Sequence, residues 1–205
     1  MFFRAISQLD ELKNISTTVV VTGTEETEKS LLEIALSARN QTMEYADQLS
    51  TIEVSYLSLT RAIIPVMEQS ASLSFVKQRF NALEELCKGV QLLGELPEKT
   101  IHEIINHASI ITSYLFAAAC NAIFKNSHWI DGREILVAER INGAIVCNEE
   151  ASLANIQKIW NKREQGILVI SGSAARDARS NTIGFGKGGG DLSASFFAGL
   201  LNANE

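Results

Sequence analysis

An α/β fold with a mainly parallel sheet is what this sequence predicts, and three features predict it. Thr17-Thr18-Val19-Val20-Val21-Thr22 and Gly166-Ile167-Leu168-Val169-Ile170-Ser171 are continuous β-branched and aliphatic runs, the pattern of strands buried on both faces. The segments between them carry apolar residues recurring every three or four positions. Strand and helix patterns alternate along the chain, the order of a βα protein. The 205 residues, 46% hydrophobic and 20% charged, suit a single domain with one sizeable core.

The elements follow in order. Phe3, Ile6, Leu9 and Leu12 stand at helical spacing and predict a short opening helix. The first β-branched run follows, then a helix carrying Leu31, Leu32, Ile34, Ala35 and Leu36. Leu49, Ile52, Tyr56, Leu59, Ile63 and Val66 step by three and four, and Val76, Phe80, Leu83, Cys87 and Val90 repeat the step. With Pro65 and Ser70 to Ser74 between them, these two runs predict an antiparallel helical hairpin over about residues 42–93. Its heptad-like seam is expected to pack on itself or to meet a partner as well. Residues 101–124 are the most apolar helix, expected at the centre. Trp129-Ile130 predicts a short strand, Gly143 to Cys147 a candidate strand, and Leu153, Ile156, Ile159 and Trp160 a helix. The second buried run is followed by a polar, turn-rich stretch from Ala174 to Thr182. A glycine run and a last helix carrying Leu192, Phe196, Phe197, Leu200 and Leu201 close the chain.

Composition narrows the function classes. With 18 basic against 24 acidic residues, a net charge of −6 and no basic stripe, the chain is not expected to bind nucleic acid. Ala108 to Phe124 carries Ser109, Thr112, Ser113 and Asn121 and is too short for a comfortable membrane span, so a buried core helix is expected and no membrane partner. Met1-Phe2-Phe3-Arg4 leads straight into polar sequence, which argues against a signal peptide. Cys87, Cys120 and Cys147 are odd in number and widely spaced, as expected of reduced, mostly buried thiols in a cytoplasmic protein. They show no zinc spacing and no pairing with His102, His107 or His128 that would support thiol catalysis.

Gly184-Phe185-Gly186-Lys187-Gly188-Gly189-Gly190-Asp191 is the segment that asks for a chemical explanation. Glycines before a helix let backbone N–H groups approach an anion, and the helix N-terminus adds positive potential. It is not a Walker A loop, because Lys187 is followed by Gly188 rather than Ser or Thr. It matches the dinucleotide fingerprint only formally, because that motif belongs in the first βα turn with an acidic residue about twenty positions on. Two readings stay open on spacing alone: an anion site, or a surface turn with Asp191 as helix N-cap.

The order of segments resembles the aspartokinases of the amino acid kinase family. Val169-Ile-Ser-Gly172, Arg176-Asp177, and Thr182-Ile-Gly184-Phe-Gly-Lys-Gly-Gly-Gly-Asp191-Leu-Ser-Ala are similar to the family's buried strand, its Gly/Thr-rich hairpin and its Leu-Gly-Arg-Gly-Gly-Ser-Asp-Tyr-Ser-Ala helix entry. Val19-Val-Val-Thr22 resembles the family's Val-Val-Val-Ser strand, Leu93-Gly94-Glu95 its Gly-Glu turn, and Trp129-Ile-Asp131-Gly-Arg133 its Trp-x-Asp-Ala-Arg. The helical hairpin resembles the family's helical insert. The resemblance implies a three-layer α/β/α sandwich and one amino-acid-binding lobe over residues 1–205. It also implies phosphorylation of the L-aspartate β-carboxylate by MgATP, on the route to lysine, threonine and methionine. Carried over by position, Thr22, Glu95, Lys187, Gly188, Gly189, Gly190 and Asp191 form the implied substrate site; no catalytic residue or metal ligand is carried over.

The departures set further expectations. The family's Lys-Phe-Gly-Gly-Thr-Ser loop and its later nucleotide-binding half, with a Thr-Asp segment, have no counterpart in these residues. ATP and Mg are therefore expected to be the family's cofactors rather than ligands of this chain, and the isolated chain is expected not to turn over. Lys187 replaces a planar arginine fork, Gly190 replaces a serine, and Glu98 stands where the family has a serine after Gly-Glu. Thr24-Glu25-Glu26-Thr27-Glu28 replaces a Gly/Thr-rich turn and would repel phosphate. Weak binding of L-aspartate or a related amino acid is expected, together with self-association or pairing with the remainder of a longer chain. The alternative is a non-catalytic binding, regulatory or oligomerisation module on the same fold.

Overall fold

The computed structural model describes residues 6, 8–9, 17–42, 44–160 and 166–203. Ile6 and Leu9 of the opening pattern are helical and buried, while Phe3 and Leu12 lie outside the described residues. β1 (Thr17–Val21) passes through Thr22-Gly23 into α1 (Glu25–Arg39). Thr24 caps this helix by accepting the Thr27 N–H at 3.2 Å, and Glu25, Glu26 and Glu28 occupy its first turn. There they meet the positive end of the helix dipole, a structural reason for acids at these positions.

α2 (Glu44–Ile63) and α3 (Gln69–Leu93) form the expected pair, joined through a single 3₁₀ turn at Val66–Glu68. Val76, Phe80, Leu83, Cys87 and Val90 are all buried, but Val66 is 80% exposed in the turn rather than in the seam. Most of the seam joins the chain's own core, with Ile52 and Leu59 only partly buried. Gly94, in the left-handed region at φ 65°, ends α3. α4 (Glu98–Phe124) follows; it is long and apolar enough to cross a membrane, and 67% of its most apolar stretch is buried inside the protein. Here it is the central core helix, packed on the sheet on one side and on α1 and α3 on the other.

β2 (Ser127–Ile130) leads through a 3₁₀ turn at Gly132–Glu134 to a hairpin of β3 (Ala138–Ile141) and β4 (Ala144–Cys147). Asn142 and Gly143 at its tip have φ of 51° and 83°, the Asn-Gly geometry of a tight hairpin. α5 (Glu149–Trp160), β5 (Ile167–Ser171), a second hairpin of β6 (Ala174–Arg176) and β7 (Thr182–Gly184), and α6 (Gly189–Leu201) complete the chain.

β1 and β2 flank β5, and both pairs are parallel, with Val19 and Trp129 each in register with Val169. Every residue of β5 is buried. Ile167 and Val169 join the core under α1 to α4; Leu168 and Ile170 join Ile135, Leu136, Ile156 and Phe197 on the opposite face. The result is a three-layer α/β/α arrangement. β5 is central, and among the described residues the edges are β1 and β2. All three parallel strands end on one side, so the turns after Val21, Ile130 and Ser171 gather there, the usual place for a ligand in such sheets.

Candidate functional site

The turns after β1 and β5 open into a cavity of about 660 Å³, lined by Thr22, Gly23 and Ser173 from those turns. The first turn of α1 contributes Glu25, Glu28 and Lys29, one face of α4 contributes Ile101, His102, Ile105 and Asn106, and the glycine run supplies the rest of the wall from Gly184 to Asp191. Six of the seven residues carried over from the family resemblance meet here: Thr22, Lys187, Gly188, Gly189, Gly190 and Asp191. Glu95 does not. It is exposed in the turn between α3 and α4 and is absent from the lining. From α4, Ala108 and Ser109 lie against Gly23 of the β1–α1 turn, and Ser109 Oγ accepts the Gly23 N–H at 3.0 Å.

The glycine run packs closely. A Cβ on Gly190 would lie 3.0 Å from Thr22 Cγ2, so this position lets the start of α6 touch the β1 turn. Gly188, at φ 78°, is the N-cap of α6, and no side chain caps the helix. Asp191 is therefore not the cap; it is the third residue of the helix, exposed at the cavity rim. Uncapped N–H groups and the helix dipole make this end of α6 receptive to an anion.

The rim is electrically balanced. Lys29, Arg140 and Lys187 line it together with Glu25, Glu28 and Asp191. Burial, reinforced by Glu25, pushes the Glu28 carboxyl above the ordinary carboxylate range. Arg140 donates to the Gly184 carbonyl at 3.2 Å. The His102 ring lies against Gly184, where a Cβ would come within 2.8 Å of its Cδ2. Burial, with help from Arg140, holds His102 below its ordinary pKa despite Glu98 at 3.7 Å.

Behind this wall lies a saturated charge cluster that sequence reasoning registered only as a Trp-x-Asp-x-Arg motif. The Arg133 guanidinium donates to Asp131 through Nη2 at 2.8 Å, to Glu103 through Nη1 at 2.8 Å and to Thr182 Oγ1 at 2.9 Å. Thr182 also donates to Glu103, and Ser171 Oγ joins Asp131 at 3.3 Å. Burial raises the carboxyl pKa values of Asp131 and Glu103, but Arg133 and the hydrogen bonds outweigh it and hold both low. The cluster ties α4, the turn after β2, the end of β5 and β7 together, and β7 leads directly into the glycine run. Chain-distant partners such as Glu103 and Thr182 carry no local sequence signature.

Asn106 is the opposite case. It is 4% exposed on α4, and among the described residues neither its Oδ1 nor its Nδ2 has a hydrogen-bond partner. Among the described residues no three His, Cys, Asp or Glu side chains are grouped to hold a metal ion. Burial raises the Cys87 and Cys120 thiols to about 11 and about 12, which suits inert core thiols.

The amino acid kinase family model matches residues 2–205. Aspartokinase 2, chloroplastic, of Arabidopsis thaliana is 24% identical over 170 residues, covering 80% of this chain and 30% of the relative. A bifunctional aspartokinase/homoserine dehydrogenase of Buchnera aphidicola is 26% identical over 132 residues, covering 63% of this chain and 16% of the relative. The chain thus spans less than a third of the length of these curated relatives. Among solved structures, Escherichia coli aspartokinase III in complex with aspartate and ADP superposes with a TM-score of 0.84 at 14% identity, covering all of this chain (100%) and 44% of that one. The same enzyme in complex with lysine and aspartate superposes at 0.82.

Proposed function

The chain belongs to the amino acid kinase family, and from that premise we propose that its cavity is the amino-acid site of an aspartokinase-type domain. The observation that carries the reading is the meeting of the glycine run, the uncapped start of α6 and Thr22 around one cavity at the strand ends. A zwitterionic amino acid finds complementary groups there. Its carboxylate has Lys187 and the α6 N-terminus, and its ammonium has Asp191 or Glu25. The reaction of the whole protein is, on this proposal, ATP-dependent phosphorylation of the L-aspartate β-carboxylate, in a cytoplasmic setting of amino-acid biosynthesis.

These 205 residues are proposed to bind rather than to turn over. Phosphoryl transfer depends on cations placed around the transferring group. In this cavity every cation is matched by an acid, and Glu25 and Glu28 share the wall that a phosphate would need. The same acids favour the second reading, a non-catalytic amino-acid-binding or regulatory module. Self-association is part of the proposal: β1 and β2 are edges among the described residues, and Val66, Met67, Leu92 and Leu93 are each at least 76% exposed.

Calorimetric titration of the 205-residue protein and its Asp191→Ala variant with L-aspartate tests the site. Weak binding that weakens further in the variant is expected; binding indifferent to the substitution refutes the placement. A coupled ADP-release assay with L-aspartate and MgATP tests whether these residues turn over. No aspartate-dependent turnover is expected, and turnover proportional to protein through repurification would overturn the binding-only reading.

A further inference from the structure

Of the three cations that line the cavity, Lys29 pairs with Glu33 along α1 at 3.8 Å. Arg140 and Lys187 make no ion pair among the described residues. The balance at the rim is one of number, and these two charges are open to a ligand. They are held differently. Lys187 rides between Gly186 and Gly188, which have φ of 72° and 78°. Arg140 stands on β3, in register with Ile145 of β4. Its Nη2 donates to the Gly184 carbonyl at 3.2 Å, where β7 ends in the glycine run, and its Nη1 to the Gly143 carbonyl at 3.5 Å. Those contacts take at most two of the five N–H donors of a guanidinium. The remaining donors belong to a side chain that is exposed and lines the cavity. A strap between the β3–β4 hairpin and the glycine run therefore explains only part of this residue.

The amino-acid site proposed above places one carboxylate at Lys187 and the start of α6, and the ammonium at Asp191 or Glu25. L-Aspartate has a second carboxylate, which that placement leaves without a partner. A guanidinium gives a carboxylate two parallel charge-assisted N–H···O bonds, whereas an ammonium offers a point charge. The α-carboxylate is common to all amino acids, so the group that holds it does not choose among side chains. The group that meets the second carboxylate does. Arg140 is the fork among the two unpaired cations, and its bond to Gly184 keeps it at the cavity wall. It comes from a hairpin remote in sequence and supplies what Lys187 cannot.

We infer that Arg140 holds the side-chain carboxylate of a dicarboxylic amino acid in this cavity and so sets the preference for it over a neutral one. The assignment rests on the reading of the cavity as an amino-acid site, and the experiment keeps the two apart. The 205-residue protein and its Arg140→Gln, Arg140→Lys and Lys187→Ala variants are titrated calorimetrically with L-aspartate and with L-asparagine, which has the same shape without the second charge. The parent is expected to bind L-aspartate at least ~10-fold more tightly than L-asparagine. Arg140→Gln should erase that preference by weakening L-aspartate alone, and Arg140→Lys should keep only part of it. Lys187→Ala should weaken both ligands alike. A preference that survives in Arg140→Gln, or an equal loss for both ligands there, overturns the inference, as does a preference erased by Lys187→Ala instead. Inorganic phosphate is titrated as well; Arg140-dependent phosphate binding tighter than that of L-aspartate would assign the fork to a phosphoryl group and overturn the inference too. If L-aspartate binds in an Asp191-dependent way that is indifferent to Arg140→Gln, the amino-acid site stands and the inference falls. If neither amino acid binds at up to roughly 10 mM, both fall.

Discussion

Glu103 and Asn106 sit less than one turn apart on α4, and their surroundings are opposite. Glu103 receives hydrogen bonds from Arg133 and Thr182. The Asn106 side chain, more deeply buried, receives and gives none among the described residues. Fully paired buried polar groups rigidify a fold, whereas an unpaired one costs it stability. The difference separates a position on the helix that holds the architecture from one that weakens it.

The largest effect should come from breaking the paired side. Arg133→Met keeps the length and apolar stem but removes the cation from Asp131, 9% exposed, and from Glu103, 34% exposed. Removing one partner of a buried pair costs about 3–5 kcal/mol, with Asp131 carrying most of it because water screens Glu103. Urea unfolding at neutral pH should show a loss of that order. A change under about 1 kcal/mol would mean that the cluster does not hold the glycine run in place.

Acid sharpens the same contrast. Asp131 and Glu103 have folded pKa values below 3.8 and 4.5. The folded state thus binds fewer protons than the unfolded one as pH falls, and their stabilisation, complete above those unfolded values, is lost as pH drops through the folded ones. His102 and His107 are held below 6.5, chiefly by burial, and act in the same direction from that pH downward. In Arg133→Met burial dominates and the two carboxyl pKa values rise, so protonation relieves the variant. The stability gap between parent and variant should narrow between pH 7 and pH 4, measured by urea midpoints at both. A gap that stays constant would remove Arg133 as the cause of the depressed values.

Much of the fold was legible in the sequence, because its signals are local. The β-branched runs at Thr17 and Ile167, the periodicity from Val76 to Val90 and the glycine run each announce themselves within a few residues. β3 did not, because Ala138-Glu139-Arg140-Ile141 is short and polar on its exposed side; the Asn142-Gly143 pair was the available clue. The site was half legible. The glycine run and Thr22 converge as the motif order implies, whereas Glu95, implied by the match to the family's Gly-Glu turn, lies outside the lining. Asn106, His102 and Arg140 reach the cavity only because α4 and β3 both pack against β7, and no spacing in the chain encodes that.

On the unpaired side the expected effect is smaller and of opposite sign. Asn106→Leu removes two buried polar atoms that have no partner among the described residues. The ligand-free protein should be stabilised by about 1 kcal/mol or be unchanged, read as a rise in the urea midpoint with no change of slope. Destabilisation beyond about 1 kcal/mol would show that Asn106 serves the fold, and the contrast with Glu103 would dissolve.

The smallest effect belongs to the rim. Lys187 is exposed on the loop before α6, and its ammonium makes no ion pair among the described residues. Lys187→Ala should leave the unfolding midpoint unchanged, because a solvated surface charge contributes within about 0.5 kcal/mol to stability. Its consequence should appear only in binding: a several-fold loss of amino-acid affinity, on the order of 1 kcal/mol, that shrinks as salt is added because an exposed charge is screened. Titrations at low and high ionic strength resolve this. An affinity loss that is insensitive to salt would place Lys187 in direct, desolvated contact with the ligand, moving it from the rim to the buried wall beside Asn106. No loss at either ionic strength would leave the uncapped N–H groups of α6 as the anion-binding feature on their own.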